Sequence, residues 1–329
     1  MESIYFDNSA TTKLDEEVLQ KMMPYLTTEY GNASSLYSVG RNAKRAIEKA
    51  RNRVAELLNC NHNEIYFTGG GSESDNIALK GFAYANKEKG NHIITSKIEH
   101  PAILETCKTL ERQGFEVSYI NVKEDGIIDV EELRKSIKSN TILISVMTAN
   151  NEVGTIQPIE EIAKIAHDNN VVFHTDAVQA IGNVKIDVEK MRIDLLSLSS
   201  HKINGPKGVG ALYIKNGIEV EKFINGGHQE KDRRAGTENV AGIVGLGKAA
   251  EIARKNMETH IRNLSKVRDY YIKKVQKEIP NIRINGSMEN RLPGNANISF
   301  KGVNASELIF KLDERGICVS SGSACSSGN

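Results

Sequence analysis

Short apolar runs alternate along this chain with segments of helical periodicity, and this alternation restricts the possible fold more than any other feature. The apolar runs lie at residues 65–68, 92–95, 117–120, 142–146, 171–174, 194–199 and 210–214 and predict seven buried strands. Amphipathic segments such as IEEIAKIAHDNN lie between several of them. The sequence therefore predicts an α/β fold, in which a mostly parallel seven-stranded sheet is flanked by helices.

The length of the chain and a long helical pattern after residue 239 predict a second domain. Residues 41–58 repeat apolar positions at steps of three and four, and a long helical pattern that starts near residue 239 ends at Pro280. The sequence beyond it, with NANISFKG and SELIFKLDERG, is typical of a smaller α+β domain. We expect a large domain at residues 14–256 and a small domain built from residues 1–13 and 257–329.

The charge balance argues against nucleic acid or an anionic membrane as a partner. Lys and Arg total 43 and Asp and Glu total 42, so we expect a small polar substrate instead. The N-terminus shows no leader pattern and no apolar run approaches the roughly 20 residues of a membrane span, which predicts a cytoplasmic protein. The four cysteines form no C-x-x-C pair, so reduced thiols are expected rather than zinc ligands or disulfides.

A lysine and an aspartate each follow a predicted strand. Lys202 lies just past residues 194–199, and Asp176 lies just past residues 171–174. Ligands of α/β proteins bind at such strand ends, where desolvation would favour a neutral lysine able to form a Schiff base. Pyridoxal phosphate (PLP) needs a carboxylate such as Asp176 against its ring nitrogen, and Gln179 would bond to the ring hydroxyl. Taken singly, Lys202 is more often a surface lysine and Asp176 a helix N-cap.

Three glycines at residues 69–71 connect the strand at 65–68 to Ser72 and a predicted helix. Exposed N–H groups of glycine and a helix N-terminus attract phosphate. The same residues also predict a tight turn followed by a capping box, with Ser72 at the N-cap and Asp75 three residues later. Both interpretations can hold together.

A second glycine motif matches part of a phosphate-binding loop but does not follow a predicted strand. Gly242, Gly247 and Lys248 match the first part of a Walker A loop, but Ala249 replaces the Ser or Thr that binds magnesium. The match lies inside a helical pattern rather than after a strand, so a packed helix is predicted.

A histidine and a cysteine complete the candidate residues. His100 follows the strand at 92–95 and would stack on a planar cofactor and move protons, although a lone histidine is more often surface or core. Cys325 lies in SSGSACSSG, which holds no apolar anchor, so a mobile loop with an accessible thiol is expected. The alternative is an incidental cysteine in a loose tail.

Motifs along essentially the whole chain together resemble the cysteine desulfurases of the NifS/IscS type, within the aminotransferase-like (fold type I) PLP enzymes. In chain order they are YFDNSATT, GNASS, GGGSESDN, EHPAI, NNEVGTIQPI, HTDAVQ, SSHKINGPKGVG, RAGTEN and SSGSACSSG. Each motif alone is weak, but the ordered set is highly specific. The last motif is similar to the branch whose sulfur-accepting cysteine lies on a long flexible loop.

The resemblance implies a complete set of site residues. Lys202 would carry PLP, Asp176 and Gln179 would hold its ring, and His100 would stack on it. The phosphate would be bound by Gly71, Ser72, Ser199 and His201, with Thr237 reaching in from the partner subunit of a homodimer, while Asn151 would contact the ring oxygen or the substrate. Cys325 would be the persulfide carrier.

The implied reaction converts L-cysteine to L-alanine, with Lys202 or His100 removing the Cα proton and Cys325 capturing sulfur as a persulfide. Sulfur would then pass to an acceptor or iron–sulfur scaffold protein, for iron–sulfur cluster assembly or tRNA thiolation. Two alternatives stay open: another PLP enzyme, such as an aminotransferase or selenocysteine lyase, and a scaffold without turnover. The family usually supplies an arginine for the substrate carboxylate beyond the cysteine loop, so we expect a truncated small domain or impaired substrate binding here, where the sequence ends at Asn329.

Overall fold

A seven-stranded sheet forms the centre of the fold in residues 3–322, the part of the chain that this computed structural model describes. Its strand order is β2-β8-β7-β6-β5-β3-β4. The strands, with those of two small sheets, are β1 (Ile4–Tyr5), β2 (Ile65–Thr68), β3 (His92–Ser96), β4 (Glu116–Ile120), β5 (Thr141–Ser145), β6 (Val172–Asp176), β7 (Leu195–Ser199), β8 (Gly210–Ile214), β9 (Ile282–Ile284), β10 (Ile298–Phe300) and β11 (Ile317–Cys318). All seven predicted strands of the main sheet are confirmed, with ends shifted by at most one or two residues.

Helices cover both faces of this sheet. They are α1 (Glu16–Thr27), α2 (Ser38–Leu58), α3 (Gly71–Asn76), α4 (Phe82–Ala85), α5 (Pro101–Arg112), α6 (Val130–Ser136), α7 (Ile159–Asp168), α8 (Val240–Glu278) and α9 (Ala305–Asp313). Ile94 and Ile144 belong to one buried apolar cluster, whereas their strand neighbours Ile93 and Leu143 belong to another. Since successive strand residues point to opposite faces, the sheet is buried on both sides. No helix within residues 3–322 is both long and apolar enough to cross a membrane.

The direction of the strands determines where their ends meet. Only β8 runs against the others: it pairs antiparallel with β2 and with β7, while β7, β6, β5, β3 and β4 pair in parallel. The carboxyl ends of β2, β3, β5, β6 and β7 therefore share one edge of the sheet. The predicted mostly parallel α/β class is confirmed, and that edge is where a ligand site is expected.

The long helix α8 packs along α2 through a glycine. A Cβ atom added to Gly247 would lie 2.5 Å from the Cα of Ala50, which is closer than real side chains approach. Lys248, the next residue, forms an ion pair with Glu17 at 2.9 Å. The Walker-like motif thus lies in a packed helix, as predicted.

The two ends of the described chain meet in a small parallel sheet. Ile4 of β1 pairs with Ile317 of β11, and β9 pairs separately with β10. A small domain made from both chain ends requires such a pairing. The division at residues 14 and 256 stays a prediction, and residue 256 lies inside the continuous helix α8.

Candidate active site

One cavity of about 260 Å³ lies at the shared strand edge. Its walls come from loops after β3, β5, β6 and β7 and from the start of α3. The predicted residues that line it are Gly71, Ser72, His100, Asn151, Asp176, Gln179, Ser199, His201 and Lys202. These residues are spread over more than a hundred positions in sequence, and the parallel sheet brings them together.

Lys202 reaches this cavity from a single 3-10 turn, Ser200–Lys202, that follows β7 directly. Its side chain is inside the protein, with the residue only 8% exposed, so the surface-lysine alternative is wrong. The Nζ atom donates hydrogen bonds to the carbonyl oxygens of Ser9 and Ala10, the latter at 3.0 Å. The N-terminal segment thus covers the lysine.

Asp176 is the last residue of β6 and faces the same cavity. One carboxylate oxygen accepts the backbone N–H of Val178 at 2.8 Å, but no helix starts there, so the N-cap alternative is wrong. Burial raises the pKa of Asp176 to about 6, against the lowering effects of the Val178 hydrogen bond and Lys202. A positive group in the cavity would therefore favour the ionised carboxylate further. Gln179 donates a hydrogen bond to the Ser9 carbonyl at 2.8 Å.

Two histidines in the cavity wall are held neutral by burial. Nδ1 of His100 accepts the N–H of Ala102 at 3.1 Å and so caps α5. Burial, aided by Lys202, lowers the pKa of His100, and burial with Lys202 and Lys207 lowers that of His201 to about 4. A neutral imidazole can stack on a planar ring and donate one hydrogen bond.

The start of α3 differs from the predicted capping box. The N-cap is Gly70, with a φ of 153° that side-chain-bearing residues rarely adopt, and Ser72 already lies in the first helical turn. Asp75 is buried inside the helix and caps nothing, so that prediction is wrong. A Cβ on Gly71 would lie 2.7 Å from Cγ2 of Val178, so only glycine leaves this corner of the cavity open.

The donor set of this cavity fits PLP. The first-turn N–H groups of a helix suit a phosphate, a buried amine suits the aldehyde, and a buried carboxylate suits a protonated ring nitrogen. A Cβ at Gly71 would collide with Val178 in the cavity wall, so glycine is needed at this helix start. Lys202 is the one Lys or Arg among the described residues that line it.

Of the other two predicted residues, one does not line this cavity and one lies outside the described residues. Thr237 is solvent-exposed in the segment before α8 and does not line the cavity, and Cys325 lies outside the described residues. The sequence patterns did not identify the carbonyls of Ser9 and Ala10, which bind Lys202 from more than 190 residues away. Their only signal was the YFDNSATT motif, which carries no strand or helix pattern that points to the cavity.

Comparisons with known proteins identify the family and the fold. The sequence model of the aminotransferase class-V family matches residues 4–328. A Clostridium botulinum strain Hall protein named cysteine desulfurase IscS is 54% identical over 328 residues, covering 99% of this chain and 83% of its own length. A solved NifS-like protein has a TM-score of 0.95 at 39% identity and covers 99% of this chain and 89% of its own. The solved structure of SspA in complex with cysteine has a TM-score of 0.85 at 38% identity, covering 96% and 88%. The predicted aminotransferase-like fold type I is thereby confirmed.

Proposed function

This chain belongs to the aminotransferase class-V family, and from that premise we propose that it is a PLP-dependent cysteine desulfurase, which converts L-cysteine to L-alanine and keeps the sulfur as a persulfide. The observation that carries the proposal is the buried pair of Lys202 and Asp176, which line one cavity at the ends of neighbouring parallel strands. The relatives named cysteine desulfurase, and the related structure that holds cysteine, support this substrate.

When bound, PLP supplies an electrophilic carbonyl carbon and a ring that accepts electrons from the substrate's Cα. Lys202 is the residue that would hold it covalently, Asp176 would face the ring nitrogen, and Gln179 would bond to the ring hydroxyl. The phosphate would lie at Gly71 and Ser72. Ser199 and His201, from the strand and turn that precede Lys202, would close the phosphate end.

The hydrogen bond that His100 accepts supports a choice between the two candidate bases. Because Nδ1 of its neutral ring accepts the N–H of Ala102, the ring proton lies on Nε2. The ring then has no free lone pair to accept the Cα proton. We therefore assign proton removal to the Lys202 amine and ring stacking and hydrogen-bond donation to His100.

Cys325 is the proposed sulfur acceptor. Its thiolate attacks the substrate sulfur, the C–S bond breaks with its electron pair left on carbon, and protonation of that carbon yields alanine. The described chain approaches this residue through Ser320, whose Oγ donates to Asp7 at 2.8 Å. Cys325 is the fifth residue after Ser320, so the chain between them spans at most about 17 Å.

A homodimer is the proposed assembly. Thr237 is exposed on one chain, as a residue that completes a partner's phosphate site must be. Large apolar side chains are also exposed around the α1–α2 connection: Leu26 (59%), Tyr30 (80%), Leu36 (88%) and Tyr37 (63%). Covering such a surface favours association. We propose further that the protein is cytoplasmic and passes sulfur to an acceptor or iron–sulfur scaffold protein, for cluster assembly or tRNA thiolation.

The test is turnover of L-cysteine by the purified, PLP-loaded protein, with alanine measured directly. We expect Lys202→Ala to abolish alanine formation and Cys325→Ser to reduce it to background. Cys60→Ser is the matched control, because burial raises the pKa of that thiol to about 12 and keeps it unreactive.

Other outcomes would identify the alternatives. A keto acid in place of alanine would indicate an aminotransferase, and turnover of selenocysteine but not cysteine would indicate a selenocysteine lyase. A yellow protein that forms neither alanine nor a keto acid and does not turn over selenocysteine would contradict the enzyme proposal and favour a scaffold.

A further inference from the structure

A buried polar cluster lies between α3 and the sheet, directly beside the cavity. Asp75 of α3 is 1% exposed and also lines the cavity. Its Oδ1 atom is fully buried, has no hydrogen-bond partner among residues 3–322, and lies 3.8 Å from Nε2 of His174. If the carboxylate were ionised, this buried oxygen would carry negative charge without a donor of its own, so it requires an explanation.

His174 does not supply the missing positive charge. Its Nδ1 is 2.9 Å from Oγ of Ser145 and its Nε2 is 3.1 Å from Oγ of Ser197, so both ring nitrogens are already occupied by hydroxyl groups. Complete burial lowers the pKa of His174 to about 3. The ring is therefore neutral at physiological pH, and its 3.8 Å approach to Asp75 is not an ion pair.

The charges that face Asp75 from the other elements also argue against an ionised group. Asp176 on β6 and Glu99 after β3 are both buried acids, and Lys202 after β7 is the one Lys or Arg among the described cavity-lining residues. Three ionised carboxylates against one amine would leave two uncompensated charges in the interior. Burial, together with Asp176, raises the pKa of Asp75 well above its usual value, and Glu99 adds to this. The pKa of Asp176 rises only to about 6.

We propose that Asp75 is a positioning residue, held protonated and neutral beneath the cavity so that Asp176 beside it is the carboxylate that ionises. The inference rests on the proposed function, because the ionised Asp176 is the group that would face the cofactor's ring nitrogen. Asp75 acts through Asp176 and through the hydroxyl of Ser197, which it shares with His174. Asn has the shape of a neutral Asp and carries no charge. Asp75→Asn therefore tests whether the negative charge matters, whereas Asp75→Leu tests whether the hydrogen bonding matters.

The first test is the infrared spectrum of the cofactor-free protein at pH 7, with aspartate labelled by ¹³C. We expect a protonated-carboxyl band that shifts on labelling and disappears in Asp75→Asn. Asp168→Asn is the control, because Lys164 lowers the pKa of that exposed acid and keeps it ionised. A wild-type spectrum without such a band, or a band that survives in Asp75→Asn, would overturn the proposal.

The second test is PLP affinity, measured by titrating the cofactor-free variants. We expect Asp75→Asn to bind PLP within about twofold of wild type, and Asp75→Leu to bind at least about tenfold more weakly, since leucine removes the polar partner of the Ser197 hydroxyl beside Asp176. Circular dichroism checks that each variant is folded. If Asp75→Asn loses PLP as severely as Asp176→Asn does, Asp75 acts as an anion and the inference fails. It also fails if Asp75→Leu binds as wild type does. If wild type binds no PLP, the proposed function fails, while the infrared band still decides the protonation of Asp75.

Discussion

Arg51 and Glu230 form a bidentate ion pair in the protein interior, with N–O distances of 2.7 and 2.8 Å. Glu230 also accepts the N–H of Phe67 in β2 at 2.8 Å. Glu230 and the next two residues have positive φ values of 46°, 56° and 67°, a left-handed conformation that costs about 1–2 kcal/mol per residue. The pair therefore fixes an otherwise unfavourable segment, which leads to the exposed Thr237.

We predict that Glu230→Ala lowers the free energy of unfolding by roughly 3–5 kcal/mol, because it removes the buried partner of the Arg51 charge and leaves only Glu48, whose side chain is 41% exposed. Thermal and denaturant unfolding of the cofactor-free protein measure the change. Glu116→Ala is the control: its ion pair with Lys138 is about half exposed, and its loss should change stability by at most about 1 kcal/mol. Equal effects of the two substitutions would contradict the prediction.

Gly247→Ala should destabilise the protein by up to about 2 kcal/mol, although alanine favours helices. Overpacking against Ala50 costs roughly 1–3 kcal/mol, and the gain in helix propensity offsets only about 1 kcal/mol of it. Asn256→Ala, at an exposed position of the same helix, gains propensity without a new contact and should be neutral or slightly stabilising. A stabilised Gly247→Ala would show that α2 and α8 separate more easily than their packing indicates.

The sequence was most informative where a single requirement, such as burial of a strand on both faces, acts on a few consecutive residues. Each central strand is an apolar run because the sheet is buried on both faces, and this alone placed Lys202 and Asp176 at one edge. The start of α3 was mispredicted because the φ of Gly70, rather than the hydroxyl of Ser72, determines where the helix begins. The contact of Lys202 with Ser9 joins distant segments, and no local pattern encodes it.

The polar residues inside buried strands were a signal that the sequence patterns left unused. His174 and Ser197 interrupt otherwise apolar runs, and buried polar groups need partners. The position of α3 on the sheet determines that Asp75 lies next to His174 and Ser197. The periodicity of the sequence does not specify that position. The wrong assignment of Asp75 as a capping residue follows from this.

His174→Gln should change the pH dependence of stability in a known direction. The folded-state pKa of about 3 lies below the unfolded value of 6.5, so the contribution of His174 is present above pH 6.5 and is lost as pH falls toward 3. The stability advantage of wild type over His174→Gln should therefore shrink by roughly 2 kcal/mol between pH 7 and pH 5. A pH-independent difference in stability between wild type and His174→Gln would contradict the assignment.

Ser320→Ala should slow sulfur transfer to Cys325 without weakening substrate binding. Ser320, which bonds to Asp7, lies five positions before Cys325. Without that bond the next anchored residue is Cys318, seven positions before Cys325, whose carbonyl accepts the N–H of Phe6. A longer free span enlarges the volume that the thiol must search, which predicts a persulfide formation rate reduced roughly twofold.

Single-turnover trapping of the persulfide measures this rate, and the spectral change on mixing with cysteine reports binding separately. Asp7→Asn keeps an acceptor oxygen for Ser320 and should behave as wild type, whereas Asp7→Ala should match Ser320→Ala. Ser136→Ala is the control, because its hydroxyl bonds within α6, away from the cavity. If Ser320→Ala and Asp7→Ala both transfer sulfur at the wild-type rate, this anchor does not position Cys325. A loss of substrate binding in either variant would instead place the effect at the cavity.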